Sequence, residues 1–146
     1  MGIKYPKQPQ IAVGVLVFNN NKVLLVLRGH SPAKGMWSLP GGSIKLGEHS
    51  EEAAEREVFE ETSIVVKAKE SINTFDVIER DSSGVILYHY VIIDYIASFI
   101  RGYPCPNDDA LEAGWFSAQE LNKLSVVPET LKLLKHYHRF FTFSLD

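Results

Sequence analysis

Cysteine is almost missing from this chain. Cys105 stands alone in 146 residues, so no intramolecular disulfide can form, and with no cluster of His or Cys around it the thiol is expected to be inert. An excess of basic charge is missing too. Fifteen Lys and Arg against 18 Asp and Glu leave a formal net charge of −3, which excludes the broad basic footprint of a protein that binds nucleic acid or anionic membrane. A phosphorylated ligand would have to be met by local basic residues or by metal ions. No apolar run is long enough to span a bilayer, and the opening MGIKYPKQPQ has no signal-peptide core. Pro6 stands where a myristoylation signal starting at Gly2 needs Ser or Thr. These absences predict a cytoplasmic protein with neither nucleic acid nor membrane as partner.

Repeats, low-complexity tracts and linkers are also absent, while 45% of the residues are hydrophobic. The expectation is one domain over residues 1–146 with a sizeable core, as monomer or homodimer. Two aliphatic runs, QIAVGVLVF (10–18) and VLLVLR (23–28), are separated by Asn and Lys and predict a buried hairpin. Gly29 to Gly35 reads as a loop. IVVKAKE, INTFDVIER and VILYHYVIIDYIASF predict three further strands, the last two joined by the turn DSSG, and LEAGWFS predicts another short one. Pro128 can open a final helix whose Leu131, Leu134, Tyr137 or His138 and Phe141 recur at helical spacing. Strands, a helix, strands and a terminal helix make an α/β fold with a mixed sheet flanked by helices.

The first helix, expected over residues 50 to 61, carries the chemistry. Seven glutamates fall between Glu48 and Glu61, with Arg56 as their one arginine. Solvation and a favourable helix dipole account for Glu51, Glu52 and Glu55, behind Ser50 as expected N-cap. They do not account for Glu57, Glu60 and Glu61, which crowd one stripe near the C-terminal end, where the dipole disfavours anions. Three carboxylates so placed call for a cation, and a hard divalent ion such as Mg²⁺ or Mn²⁺ prefers oxygen ligands. Arg56 is expected to pair with Glu52 or Glu60 on spacing, or to turn back towards Glu57, whose side chain leaves the helix about 100° away.

Gly42, Glu48, Arg56, Glu57, Val58, Glu60, Glu61 and Ile64 stand at the spacing of the Nudix box, GX5EX7REUXEEXGU with U aliphatic. The chain therefore resembles the Nudix hydrolases. WSLPGG before the box, the preceding strand pair and LEAGWF near the end extend the resemblance over nearly the whole chain. One position departs: Ser63 stands where the family has glycine, and a left-handed backbone there costs serine about 1 kcal/mol.

The resemblance implies a Nudix-type α/β/α sandwich and metal-dependent hydrolysis of a nucleoside diphosphate linked to another moiety, a small-molecule nucleotide substrate. It implies that Glu57, Glu60, Glu61 and the Gly41 carbonyl bind Mg²⁺ or Mn²⁺, that Arg56 orients Glu57 and that Glu48 assists. A further carboxylate is expected from the loop before Trp115, where Asp109 is chosen over Asp108 and Glu112; the alternative is a solvated turn. Arg28, at a strand end, is expected to meet phosphate or to face solvent. Trp37 is expected to stack on a base or to pack in the core. ADP-ribose or a related sugar nucleotide is the favoured substrate, although Arg80 stands where many ADP-ribose-cleaving members carry proline. Nucleoside triphosphates and dinucleoside polyphosphates are the alternatives within the enzyme class. A non-catalytic nucleotide sensor would be expected to lose one of Glu57, Glu60 and Glu61, all of which are present.

Overall fold

The computed structural model describes residues 3–137. Strands β1 (Gln10–Asn19) and β2 (Lys22–Arg28) form the expected antiparallel hairpin. Its two turn residues, Asn20 and Asn21, both have positive φ (51° and 61°), the geometry whose twist matches flanking strands and which asparagine tolerates. Two short strands follow: β3 (Trp37–Ser38) adds to β2, and β4 (Gly41–Ser43) adds to β1. After helix α1 (Ser50–Thr62) come β5 (Val65–Arg80), β6 (Ile86–Arg101), β7 (Ala110–Phe116), and helices α2 (Ala118–Leu121) and α3 (Pro128–His136).

The seven strands make one sheet in the order β3-β2-β1-β6-β5, with β4 paired to β1 and β7 to β2. Only β1 and β6 run parallel, so the sheet is mixed as expected. The two strands read separately from IVVKAKE and INTFDVIER are one, β5. Register shifts between Ala68 and Glu70 and between Ser71 and Asn73 bend it without breaking its pairing to β6, so the polar residues that suggested a break mark bulges.

Period-two alternation along β1 divides the core. Val13, Val15 and Val17 face Ala53, Ala54 and Val58 of α1, whereas Leu16 faces Leu121 of α2 and Leu133 and Leu134 of α3. Helices therefore cover both faces of the sheet, the α/β/α sandwich.

The ends of α1 are specific. His49, not Ser50, is the N-cap: its backbone N–H donates to Glu52 Oε1 at 3.0 Å, and Ser50 is the first helical residue, its hydroxyl bonded to that of Tyr95 on β6. The C-cap, Ser63, is left-handed (φ 65°, ψ 8°) and its N–H reaches the Phe59 carbonyl at 2.9 Å. Pro128 opens α3; His138 and Phe141 of the expected stripe lie outside the described residues. Among the described residues no helix is long and apolar enough to cross a membrane.

Candidate active site

Strand β4 brings the glycines against α1. Pro40 and Ile44 bond to β1, and Gly42 is the partner of Val13, so by alternation Gly41 and Ser43 turn their backbone groups the other way. The Gly41 N–H donates to Glu61 Oε1 at 2.8 Å, and the Ser43 carbonyl accepts from Arg56 Nη2 at 3.0 Å. The Gly41 carbonyl lies on this same edge. Glycine at position 42 is a packing requirement: a Cβ there would sit 2.5 Å from the Glu57 carboxyl group.

Arg56 is the hub of the acidic stripe. Its Nε and Nη2 grip Glu48 at 2.7 and 2.9 Å, a bidentate pair, and its Nη1 donates to Glu57 at 2.7 Å and Glu60 at 3.1 Å. The guanidinium thus turns back across the helix to reach Glu57 and also takes the i+4 bond to Glu60. Glu52 instead caps the helix. The Arg56 bond holds Glu48 down at about 2. Glu48 is placed here as the clamp on Arg56.

Glu57 and Glu61 behave differently. Burial is the largest influence on both and raises both; Glu61 is pushed up to about 8, with the neighbouring Glu57 charge adding to the rise and the Gly41 N–H opposing it. For Glu57 the Arg56 bond opposes the rise. Two buried, mutually repelling carboxyls beside a backbone carbonyl are an all-oxygen donor set that fits a hard divalent cation. Among the described residues no three acidic, imidazole or thiol side chains converge as a finished cage. Mg²⁺ does not require one, since it keeps several waters and takes few carboxylates.

Facing this stripe, a small recess is lined by Arg28, His30, Gly41, Glu61 and Asp109. Asp109 pairs with His30 at 3.2 Å. Arg28, half-buried at the end of β2, donates from Nε to the Pro32 carbonyl at 2.7 Å; burial lowers its pKa while Glu61 and Asp109 hold it up. The structure thus brings Arg28 and Asp109 together with the box residues. Trp37 it places elsewhere. That ring, partly buried, packs edge-on to Phe116 at 4.8 Å between centroids against the cluster under α2 and α3, and it lines neither recess described here.

A larger cavity of about 330 Å³ lies on the sheet face opposite α1. Ala12, Gly14, Ile92 and Asp94 line its floor, Phe75 and Val77 of β5 one wall, and Val127 to Thr130 at the start of α3 the other. Arg28 and Gly41 line both recesses. The sequence reading passed over Phe75 and Asp94. The signal for Asp94 was a lone charge inside the apolar run VIIDYI.

A mixed sheet between helices, with a glutamate-rich helix clamped to a glycine-bearing strand, defines a class. A model of the NUDIX domain matches residues 8–137. The ADP-ribose pyrophosphatase of Methanocaldococcus jannaschii is 37% identical over 132 residues, which cover 90% of this chain and 75% of that protein. The crystal structure of a NUDIX hydrolase from Nitrosomonas europaea superposes with a TM-score of 0.73 at 26% identity, covering 92% of this chain and 72% of that one. The NUDIX domain of Shewanella oneidensis NrtR, solved with ADP ribose, is alike in fold, with a TM-score of 0.72 at 24% identity over 92% of this chain and 89% of that one. The chain belongs to the Nudix family and is one of its pyrophosphohydrolases.

Proposed function

We propose that this chain, as a single domain, hydrolyses the pyrophosphate of a nucleoside diphosphate linked to a second moiety, with ADP-ribose as the first substrate. The observation that carries the reading is the pair of adjoining recesses, one acid-lined and one largely apolar, sharing Arg28 and Gly41. A nucleoside in the apolar cavity would bring its diphosphate past Arg28 to the acidic helix. The archaeal relative, an ADP-ribose pyrophosphatase by name, supports the choice of substrate.

Glu57, Glu60, Glu61, the Gly41 carbonyl and Asp109 would hold Mg²⁺ or Mn²⁺. When bound, the cation neutralises charge on the phosphoryl oxygens and makes a water nucleophilic near neutral pH. The chain's own residues do the positioning. Arg56, clamped by Glu48, fixes the Glu57 carboxylate; the Gly41 N–H fixes Glu61; Arg28 supplies a fixed positive charge to the diphosphate. The half-buried setting lowers the local dielectric and strengthens each of these contacts.

The test is a panel of nucleoside diphosphate derivatives, nucleoside triphosphates and dinucleoside polyphosphates with Mg²⁺ or Mn²⁺, the products separated by chromatography. AMP and ribose 5-phosphate from ADP-ribose, at the highest kcat/KM of the panel, are expected. Preferred cleavage of a triphosphate would overturn the substrate. Tight binding without cleavage of any member would replace the hydrolase by a sensor.

A further inference from the structure

Asp94 stands outside the reaction chemistry and is still costly to keep. It sits in the middle of β6, on the sheet face opposite α1, and is only 4% exposed. Gly14 of β1 and Asn73 of β5 are its register partners, so the three lie abreast across neighbouring strands. Asn73 Nδ2 donates to Asp94 Oδ2 at 3.1 Å. Among the described residues Oδ1 accepts nothing; it lies where a Cβ on residue 14 would come within 2.3 Å, so glycine there is what lets the carboxylate extend over β1. Burial pushes Asp94 up to about 6, opposed by Asn73 and reinforced by Glu129 across the cavity. Holding an amide in place does not need a buried carboxylate, since a neutral acceptor would do so at lower desolvation cost.

The cavity above it is mostly apolar, with Phe75, Leu39 and Ile92 among its surfaces and Arg28, which also lines the acidic recess, at one end. A site of this kind holds a planar ligand by apolar contact and orients it through a few polar atoms. We propose that Asp94, braced by Asn73, reads the nucleobase, its free carboxylate oxygen accepting a hydrogen bond from an exocyclic amino group. Glu79 and Glu129, also lining the cavity, add negative charge that favours a donor edge over a carbonyl one. This rests on the nucleotide reading above and narrows it to an amino-bearing base, adenine in ADP-ribose. Asp94 is thereby a specificity residue that touches the base and leaves the diphosphate to the acidic recess.

The substitution Asp94→Asn makes a sharp test. The Asn73 donor claims the new amide oxygen, which turns the new amide nitrogen into the place of Oδ1, so that a donor faces a donor. Binding of AMP is compared by calorimetry with that of purine riboside 5′-monophosphate, which lacks only the 6-amino group. A hydrogen bond to a charged acceptor predicts that the native chain prefers AMP on the order of ten- to a hundredfold. In Asp94→Asn the preference should fall to unity or below, since the charged acceptor is gone and a donor faces the amino group. A native ratio near one overturns the inference whether or not the variant folds, and so does a ratio that survives in a folded variant. Binding requires no hydrolysis, which separates the two claims. A chain that discriminates the monophosphates but cleaves nothing defeats the hydrolase and keeps the base reader. A chain that cleaves ADP-ribose but binds both monophosphates equally does the reverse.

Discussion

Glu61 and Asp94 are both buried carboxyls; the partner proposed for Glu61 is a cation from outside, whereas Asp94 is held by Asn73 within the sheet. Glu61→Gln keeps the side-chain volume and an oxygen for the Gly41 N–H, while removing a charge that burial disfavours. The metal-free protein should therefore melt no lower than the native chain at pH 7, while kcat/KM at limiting Mg²⁺ falls by at least about a hundredfold. Near-native turnover under those conditions would remove Glu61 from the cation site. For Asp94 the sign follows from its raised pKa. Stability is highest below the unfolded value near 3.8 and is lost as pH rises through about 6, because ionisation is harder in the folded chain. Asp94→Asn should be more stable than the native protein at pH 8, by up to roughly 3 kcal/mol, with the gap closing towards pH 4. Denaturant melts at the two pH values measure it, and a gap independent of pH would contradict it.

Among the elements, α1 was the most legible in the sequence and its ends the least. Ala54 and Val58 make a small apolar stripe opposite part of the charge, and in the structure Ala53 joins them in the core. The N-cap fell to His49 because Ser50 bonds to Tyr95, a tertiary contact that no local rule anticipates. The left-handed C-cap at Ser63 was readable, because glycine is the usual occupant of such a position. Ser63→Gly should raise stability by about 1 kcal/mol, offset only by the long 3.3 Å bond from its hydroxyl to the Cys105 carbonyl. A lower melting temperature would mean that this bond outweighs the backbone strain. Helix α2 went unread, although SAQE is a complete capping box: Ser117 Oγ accepts from the Glu120 N–H and Glu120 from the Ser117 N–H. Four residues carry too little periodicity to register as a helix.

Across the molecule, the acidic site was legible because α1 is local in sequence, and the apolar cavity was not, because distant segments build it. Residues 12, 75, 94 and 128 meet only once β1, β5 and β6 pair and α3 folds over them. The same distance explains Trp37, which in sequence lies near the glycine-bearing strand yet packs against Phe116. The two recesses adjoin at Arg28 and Gly41, which line both, and the proposed function has a single extended ligand engage the two. Activity should then require the divalent cation while folding does not: chelation is expected to abolish turnover, leave the circular dichroism spectrum unchanged, and be reversed by Mg²⁺ or Mn²⁺.

The most direct test of the central claim is hydrolysis of ADP-ribose in water enriched in heavy oxygen, with the products weighed by mass spectrometry. Attack by water on the pyrophosphate places one heavy oxygen in a single product phosphate. The account predicts label in either AMP or ribose 5-phosphate and none in the remaining ADP-ribose. Full consumption of ADP-ribose with no label in either phosphate would contradict it, as would intact ADP-ribose after incubation with ample Mg²⁺ and Mn²⁺.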